Sequence, residues 1–189
     1  NMMLALGDVS GKGTAAALLM SSLHAAIHAQ VSAKRDLSDT VVSINEYLSE
    51  NTPTNRFVTL FISELDPATG QITFINAGHN PPLVVRANGT TERLEAGGLP
   101  LGLMGFAQYE VGTAHLNHGD VLFVYSDGVS EANDIDENEF GMERLQEVLS
   151  LNVGRSASGI RDKVESALSE FTGIAPANDD ITLLIVKRI

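Results

Sequence analysis

Three short stretches place an aspartate where an apolar run gives way to glycine, serine or a second aspartate. They are Leu6-Gly7-Asp8-Val9-Ser10-Gly11, Val124-Tyr125-Ser126-Asp127-Gly128 and Asn178-Asp179-Asp180-Ile181-Thr182. Carboxylates from separate segments are what Mg2+ and Mn2+ require, because these hard cations take oxygen ligands in near-octahedral geometry and keep several waters. Strand ends fix such ligands better than loose loops do, and neighbouring glycines let a carbonyl or a water come close. Two ions roughly 3.5–4 Å apart would activate a shared water and aim it at a phosphorus atom. Each aspartate has an ordinary use as well. Asp8 could satisfy the turn before a helix, Asp180 could be solvated, and spacing alone does not bring the three turns together.

Other chemistries fit poorly. Gly11-Lys12 would need a glycine where Leu6 stands, and a serine or threonine where Gly13 stands, to make a nucleotide-binding loop. His24 and His28 share a helix face, but no glutamate lies between them and no third zinc ligand is evident. There is no G-x-S-x-G elbow for a serine nucleophile. The chain has no cysteine, which excludes disulfides and thiolate metal sites and suits a reducing, cytoplasmic setting. With 12 Lys+Arg against 24 Asp+Glu, a net charge of −12 disfavours nucleic acid and anionic membranes and favours cations. No apolar run approaches the ~20 residues of a membrane span.

The elements that must position these carboxylates follow from periodicity and turn residues. Met2 to Leu6 reads as a short buried strand, then a glycine-punctuated turn to Gly13, then a helix over Thr14–Gln30 with Leu19, Leu23 and Ile27 on one stripe. A second helix is expected over Ser38–Ser49, capped by Asp36 or Ser38. Arg56–Leu65 and Gln71–Ala77 form one hairpin; Leu83–Ala87 and Thr90–Leu94, around Asn88-Gly89, form another. Tyr109–Leu116 and Val121–Tyr125 read as a third hairpin. Helices return over Gly141–Leu151 and Ser158–Phe171, and a last strand covers Ile181–Val186. Hairpins with separate helix pairs indicate an α+β fold within one domain, residues 1–189. The chain opens at Asn1 inside an apolar run and reads as a piece of a longer polypeptide.

Several stretches, in order, resemble the bacterial SpoIIE-like (RsbU-type) phosphatases of the metal-dependent protein phosphatase (type 2C) superfamily. Gly7-Asp8-Val9-Ser10-Gly11-Lys12-Gly13 with Ala15-Ala16-Ala17-Leu18-Leu19-Met20 is similar to the family signature. Asn76-Ala77-Gly78-His79-Asn80-Pro81-Pro82 resembles the central loop, and Leu99-Pro100-Leu101-Gly102-Leu103 the next glycine-bearing segment. Gly119-Asp120 with Tyr125-Ser126-Asp127-Gly128-Val129, and Asp179-Asp180-Ile181-Thr182, resemble the second and terminal acidic sites.

The resemblance implies an antiparallel β-sandwich flanked by helix layers (α-β-β-α), here lacking its N-terminal strands. It implies two or more Mn2+ or Mg2+ ions on Asp8, the Val9 carbonyl, Asp127 and Asp179, with Asp180 the weaker candidate. The catalytic set would be Asp8, Asp127 and Asp179, and His79 would fix its loop rather than act as a general acid. The substrate would be phosphoserine or phosphothreonine on a regulatory protein, such as a STAS-type anti-sigma-factor antagonist. An upstream sensor or receiver domain is expected in the parent chain, the helices over 14–30 and 38–49 are candidates for a switch that moves Asp8, and a homodimer is compatible with the sequence. The family's upstream Gly-Gly-Asp stretch, whose aspartate completes the metal pair, is not in this sequence. That keeps a second reading open: a phosphatase fold with weak or no turnover that docks a regulatory partner.

Overall fold

The computed structural model describes residues 1–33, 35–53, 56–177 and 179–189. In chain order the elements are β1 (Met2–Val9), α1 (Thr14–Ser32), α2 (Leu37–Asn51), β2 (Val58–Leu65), β3 (Gln71–Ala77), β4 (Leu83–Val85), β5 (Thr91–Arg93), β6 (Gly97–Gly98), β7 (Gly112–His115), β8 (Val121–Tyr125), α3 (Asp127–Ser130), α4 (Gly141–Asn152), α5 (Ala157–Thr172) and β9 (Leu183–Lys187). They make two compact units, Asn1–His79 with Glu95–Ala114, and Asn80–Leu94 with His115–Ile189. The α+β class expected from the sequence is present, with two largely antiparallel sheets and their helices.

The first unit is built on the sheet order β1-β2-β3-β6, with β7 also paired to β3. Its β1–β2 ladder runs unbroken from Met2↔Leu65 to Val9↔Val58. The first strand therefore does not stop at Leu6: Gly7, Asp8 and Val9 continue it. Gly7 is needed within the ladder, because a Cβ there would lie 2.9 Å from the Thr59 carbonyl oxygen. The helix pair supplies the apolar cover. Val41, Ile44 and Leu48 of α2 are at most 1 % exposed and pack with Leu19 and Leu23 of α1, and each such side chain contributes about 1.5–3 kcal/mol of burial. Asp36 caps α2 by accepting from the Asp39 N–H at 2.8 Å. Buried Asn45 fastens the following loop: its Nδ2 donates to the Met104 carbonyl at 2.8 Å, and its Oδ1 accepts from Gly102 N–H at 2.9 Å.

The second unit is built on the sheet order β5-β4-β8-β9, with α4 and α5 packed on its apolar side chains. Strand β8 is buried along its whole length and is paired along both edges, with Val121, Phe123 and Tyr125 packed in the cluster that includes α4 and α5 side chains. The hairpin expected between Tyr109–Leu116 and Val121–Tyr125 does not form: β7 pairs with β3, while β8 pairs with β4 and β9. The turn between them is held by Asp120, whose carboxylate accepts from Asn117 N–H and Ala87 N–H at 2.9 Å each and from Arg86 at 2.9 Å. Burial alone would raise the Asp120 carboxyl. The Arg86 hydrogen bond and the two N–H groups outweigh it and leave the pKa below the ordinary value.

Candidate metal centre

Asp8 stands opposite Thr59, second from the end of the β1–β2 ladder. The N–H of Val9 donates to Asp8 Oδ1 at 2.9 Å, which fixes the carboxylate rotamer. Past the ladder's end, Ser10 stays attached to the neighbouring chain, since Ser10 N–H donates to the Phe57 carbonyl at 2.9 Å and Ser10 Oγ accepts from Phe57 N–H at 2.8 Å. Thr59 is also 3.0 Å, Oγ1 to Nδ1, from His79. That histidine is 5 % exposed, and its backbone N–H donates to Asn76 Oδ1 at 2.7 Å while Asn76 Nδ2 donates to its carbonyl at 3.0 Å. In the first unit, then, the loop at residues 76–79 is bonded to the strand that carries Thr59.

In the second unit Asp127 does not sit in an open turn but heads α3, with Ser126 as the preceding cap residue. The N–H of Gly128 donates to Asp127 Oδ1 at 2.8 Å, and the N–H of Asp180 donates to Asp179 Oδ1 at 2.8 Å. The two segments are clasped by one side chain. Ser126 Oγ donates to the Asp180 carbonyl at 2.9 Å and accepts from Thr182 N–H at 3.0 Å, while Ser126 N–H reaches the Thr182 carbonyl at 3.0 Å. Gly128 permits the approach, since a Cβ there would lie 2.4 Å from the Asp180 carbonyl oxygen. Asn178, which opens the third acidic turn, lies outside the described residues.

Proximity of the carboxylates is visible in Glu131, one helical turn after Asp127. Although Glu131 is an exposed residue, burial of its carboxyl and then the charges of Asp127, Glu139 and Asp179 push its pKa up. Neither Ser126 nor Glu131 was singled out by sequence as a site residue. The i, i+4 spacing of Asp127 and Glu131 was the available signal for the second, and nothing marked the first.

The structure thus brings Asp127, Asp179 and Asp180 together in one unit and places Asp8 and Val9 in the other. Among the described residues no three His, Asp or Glu side chains are close enough to form a ready-made cation cage. The donor set is nonetheless all oxygen, and Asp8, Asp127 and Asp179 share one device: Oδ1 is tied to the next backbone N–H. Asp127 and Asp179 make no hydrogen bond through Oδ2 to the described residues. This fits a hard, largely hydrated Mg2+ or Mn2+ better than zinc or copper.

The family model for stage II sporulation protein E (SpoIIE) matches residues 1–189, the whole chain. The chain belongs to the SpoIIE family. This SpoIIE-family chain is 30 % identical over 188 residues to the phosphoserine phosphatase RsbU of Bacillus subtilis, covering 98 % of the chain and 55 % of RsbU. A solved structure of RsbU and RsbW domains from Mycobacterium tuberculosis superposes with a TM-score of 0.84 at 27 % identity, covering 98 % of this chain and 52 % of that one. The SpoIIE-family chain therefore spans about half the length of both. The catalytic domain of the serine/threonine protein phosphatase PstP, solved with two manganese ions, shares the fold at a TM-score of 0.67 and 15 % identity, over 97 % of this chain and 86 % of that one. Among the described residues no helix is long and apolar enough to cross a membrane.

Proposed function

We propose that this SpoIIE-family chain carries the phosphatase activity of a metal-dependent protein serine/threonine phosphatase, acting on phosphoserine or phosphothreonine of a regulatory protein. The observation that carries the reading is the Ser126 clasp, which holds the Asp127 and Asp179 segments side by side. Asp127 and Asp179 would hold Mn2+ or Mg2+, Asp8 and the Val9 carbonyl would complete the set, and Asp180 would serve mainly through its backbone. The bound ions would supply Lewis acidity and a water of lowered pKa. The chain's own residues supply the rest. The N–H groups of Val9, Gly128 and Asp180 hold each carboxylate in one rotamer, and Ser126 keeps the two segments from drifting apart. Hydrolysis would proceed by direct in-line attack of water, a reading motivated by the carboxylate set and the absence of cysteine.

By the same family resemblance the substrate is a phosphorylated anti-sigma-factor antagonist of STAS type, presented to a protein that also carries a sensor or receiver domain. A second reading, a partner-docking module with little turnover, draws on the lack of a ready-made three-ligand cage among the described residues. Phosphate release from a phosphoserine protein, with and without Mn2+, separates the two. The expected result is Mn2+-dependent release that disappears in Asp127→Asn while circular dichroism stays unchanged. Full activity in that variant would remove Asp127 from the centre. Tight substrate binding without release would favour the docking module.

A further inference from the structure

Next to the clasped segments, within the second unit, lies a cleft of about 520 Å3. Its lining includes the apolar side chains of Leu168, Pro176 and Ile181, with Ser169 and Thr172 beside them. Its rim carries four carboxylates, Glu131, Glu139, Glu165 and Asp179, and no Lys or Arg lines it. One wall is the loop from Glu131 to Phe140, which is internally locked. Asn133 and Glu139 form a β-bridge, Phe140 N–H donates to the Ala132 carbonyl at 2.8 Å, and Asp134 Oδ1 accepts from the N–H groups of Asp136 and Asn138 at 2.9 Å each. Glu139 is therefore presented from a fixed backbone. A second carboxylate, Glu165 on α5, lies 3.8 Å from Arg161 with both side chains more than half exposed, a contact of little strength.

Apolar lining and an anionic rim together complement a hydrocarbon stem that ends in a cation with several N–H donors. Arginine has that form: its stem packs on apolar surface while the guanidinium donates in a planar fork. A divalent ion fits less well, because no three acidic groups converge among the described residues. We propose that this cleft is the seat for an arginine side chain of the phosphorylated protein substrate, making Glu139 and Glu165 specificity residues. The inference rests on the phosphatase reading, since Asp179 belongs both to the rim and to the proposed metal ligands, which would place the arginine beside the phosphoryl group.

The test is a binding measurement that does not depend on turnover. Fluorescent phosphoserine peptides with one arginine at increasing distance on either side, and the same peptides with neutral citrulline in its place, are titrated onto the metal-free protein by anisotropy. At the best position the arginine peptide should bind about tenfold more tightly than its citrulline counterpart. That preference should fall by about half on a logarithmic scale in Glu165→Gln and vanish in Glu139→Gln/Glu165→Gln. Equal binding of the two peptides to the wild-type protein at every position would overturn the proposal, as would an arginine preference that survives in the double variant. Mn2+-dependent hydrolysis of p-nitrophenyl phosphate, too small to reach the cleft, should be the same in wild type and double variant. If the wild type does not hydrolyse it, the phosphatase reading falls, while the anisotropy comparison still decides whether the cleft takes arginine.

Discussion

Asp8 and Asp127 each accept a hydrogen bond at Oδ1 from the next backbone N–H, yet their surroundings differ in kind. Asp8 is embedded in an eight-pair antiparallel ladder, so its position is set by many backbone bonds. Asp127 and Asp179 come from segments far apart in sequence that lie just beyond the last β8–β9 pair, Tyr125↔Leu183, where the Ser126 backbone and hydroxyl bind the Asp180–Thr182 stretch. A ladder loses little when one side chain is changed, whereas the two bonds made by the Ser126 hydroxyl are lost with it. The two units also anchor their loops differently: neutral Asn45 in the first, charged Arg86–Asp120 in the second.

The largest expected effect is on metal affinity. Even groups behind metal ligands are worth about 10–100-fold, so Asp127→Asn and Asp8→Asn should each weaken Mn2+ binding more than roughly a hundredfold by calorimetry. An unchanged affinity in Asp8→Asn would take the first unit out of the centre. The two glycines come next. Gly128→Ala should cost about 2–3 kcal/mol in urea unfolding and Gly7→Ala about 1, because the first added methyl lies closer to backbone than the second (2.4 against 2.9 Å). Equal costs would mean that the segment at Asp180 yields as easily as the ladder.

Acid should separate the two loop anchors. Asp120 has its pKa lowered in the folded protein, so its stabilisation is full above the ordinary carboxylate pKa of about 4 and is lost as pH falls through the lower folded value. Amide exchange at Asn117 and Ala87 should therefore accelerate below pH ~4 while the Gly102 amide, bonded to Asn45, does not follow. Asp120→Asn should remove that difference at a cost of about 2 kcal/mol at neutral pH. Ser126→Ala should cost about 1–2 kcal/mol and exceed Ser10→Ala, since the Ser126 hydroxyl makes two hydrogen bonds and the Ser10 hydroxyl one. The smallest effect belongs to Tyr109. Its buried hydroxyl lacks a partner among the described residues and burial pushes its pKa to about 12, so Tyr109→Phe should be neutral or stabilising by up to about 1 kcal/mol in the same urea titration.

Much of this was legible in the sequence because local chemistry decided it. The Asp66–Gly70 turn and Asn88-Gly89 marked two hairpins, strand β3 spans the expected Gln71–Ala77, and Asp36 caps α2 as its type suggests. What was misread depended on partners distant in the chain. Gly7 looked like the start of a turn, but the glycine answers to a neighbouring carbonyl, so the strand continues through Asp8. Tyr109–Leu116 and Val121–Tyr125 looked like a hairpin because they flank a good turn, yet their edges are taken by β3, and by β4 and β9. In the candidate centre the aspartates were recognisable by type and spacing. Ser126 was not, because a serine before Asp-Gly reads as an ordinary helix cap until the Asp180 segment is seen lying against it.

The way each unit is assembled from two separate stretches bears on synthesis. The chain leaves the first unit after His79, returns at Glu95 and leaves again after Ala114. During translation the first sheet cannot gain its β6 and β7 partners until after the β4–β5 hairpin of the second has emerged, and that hairpin must then wait for β8. A ribosome releasing this protein therefore holds two half-built sheets at once, and no single cut in the gene would leave both units whole.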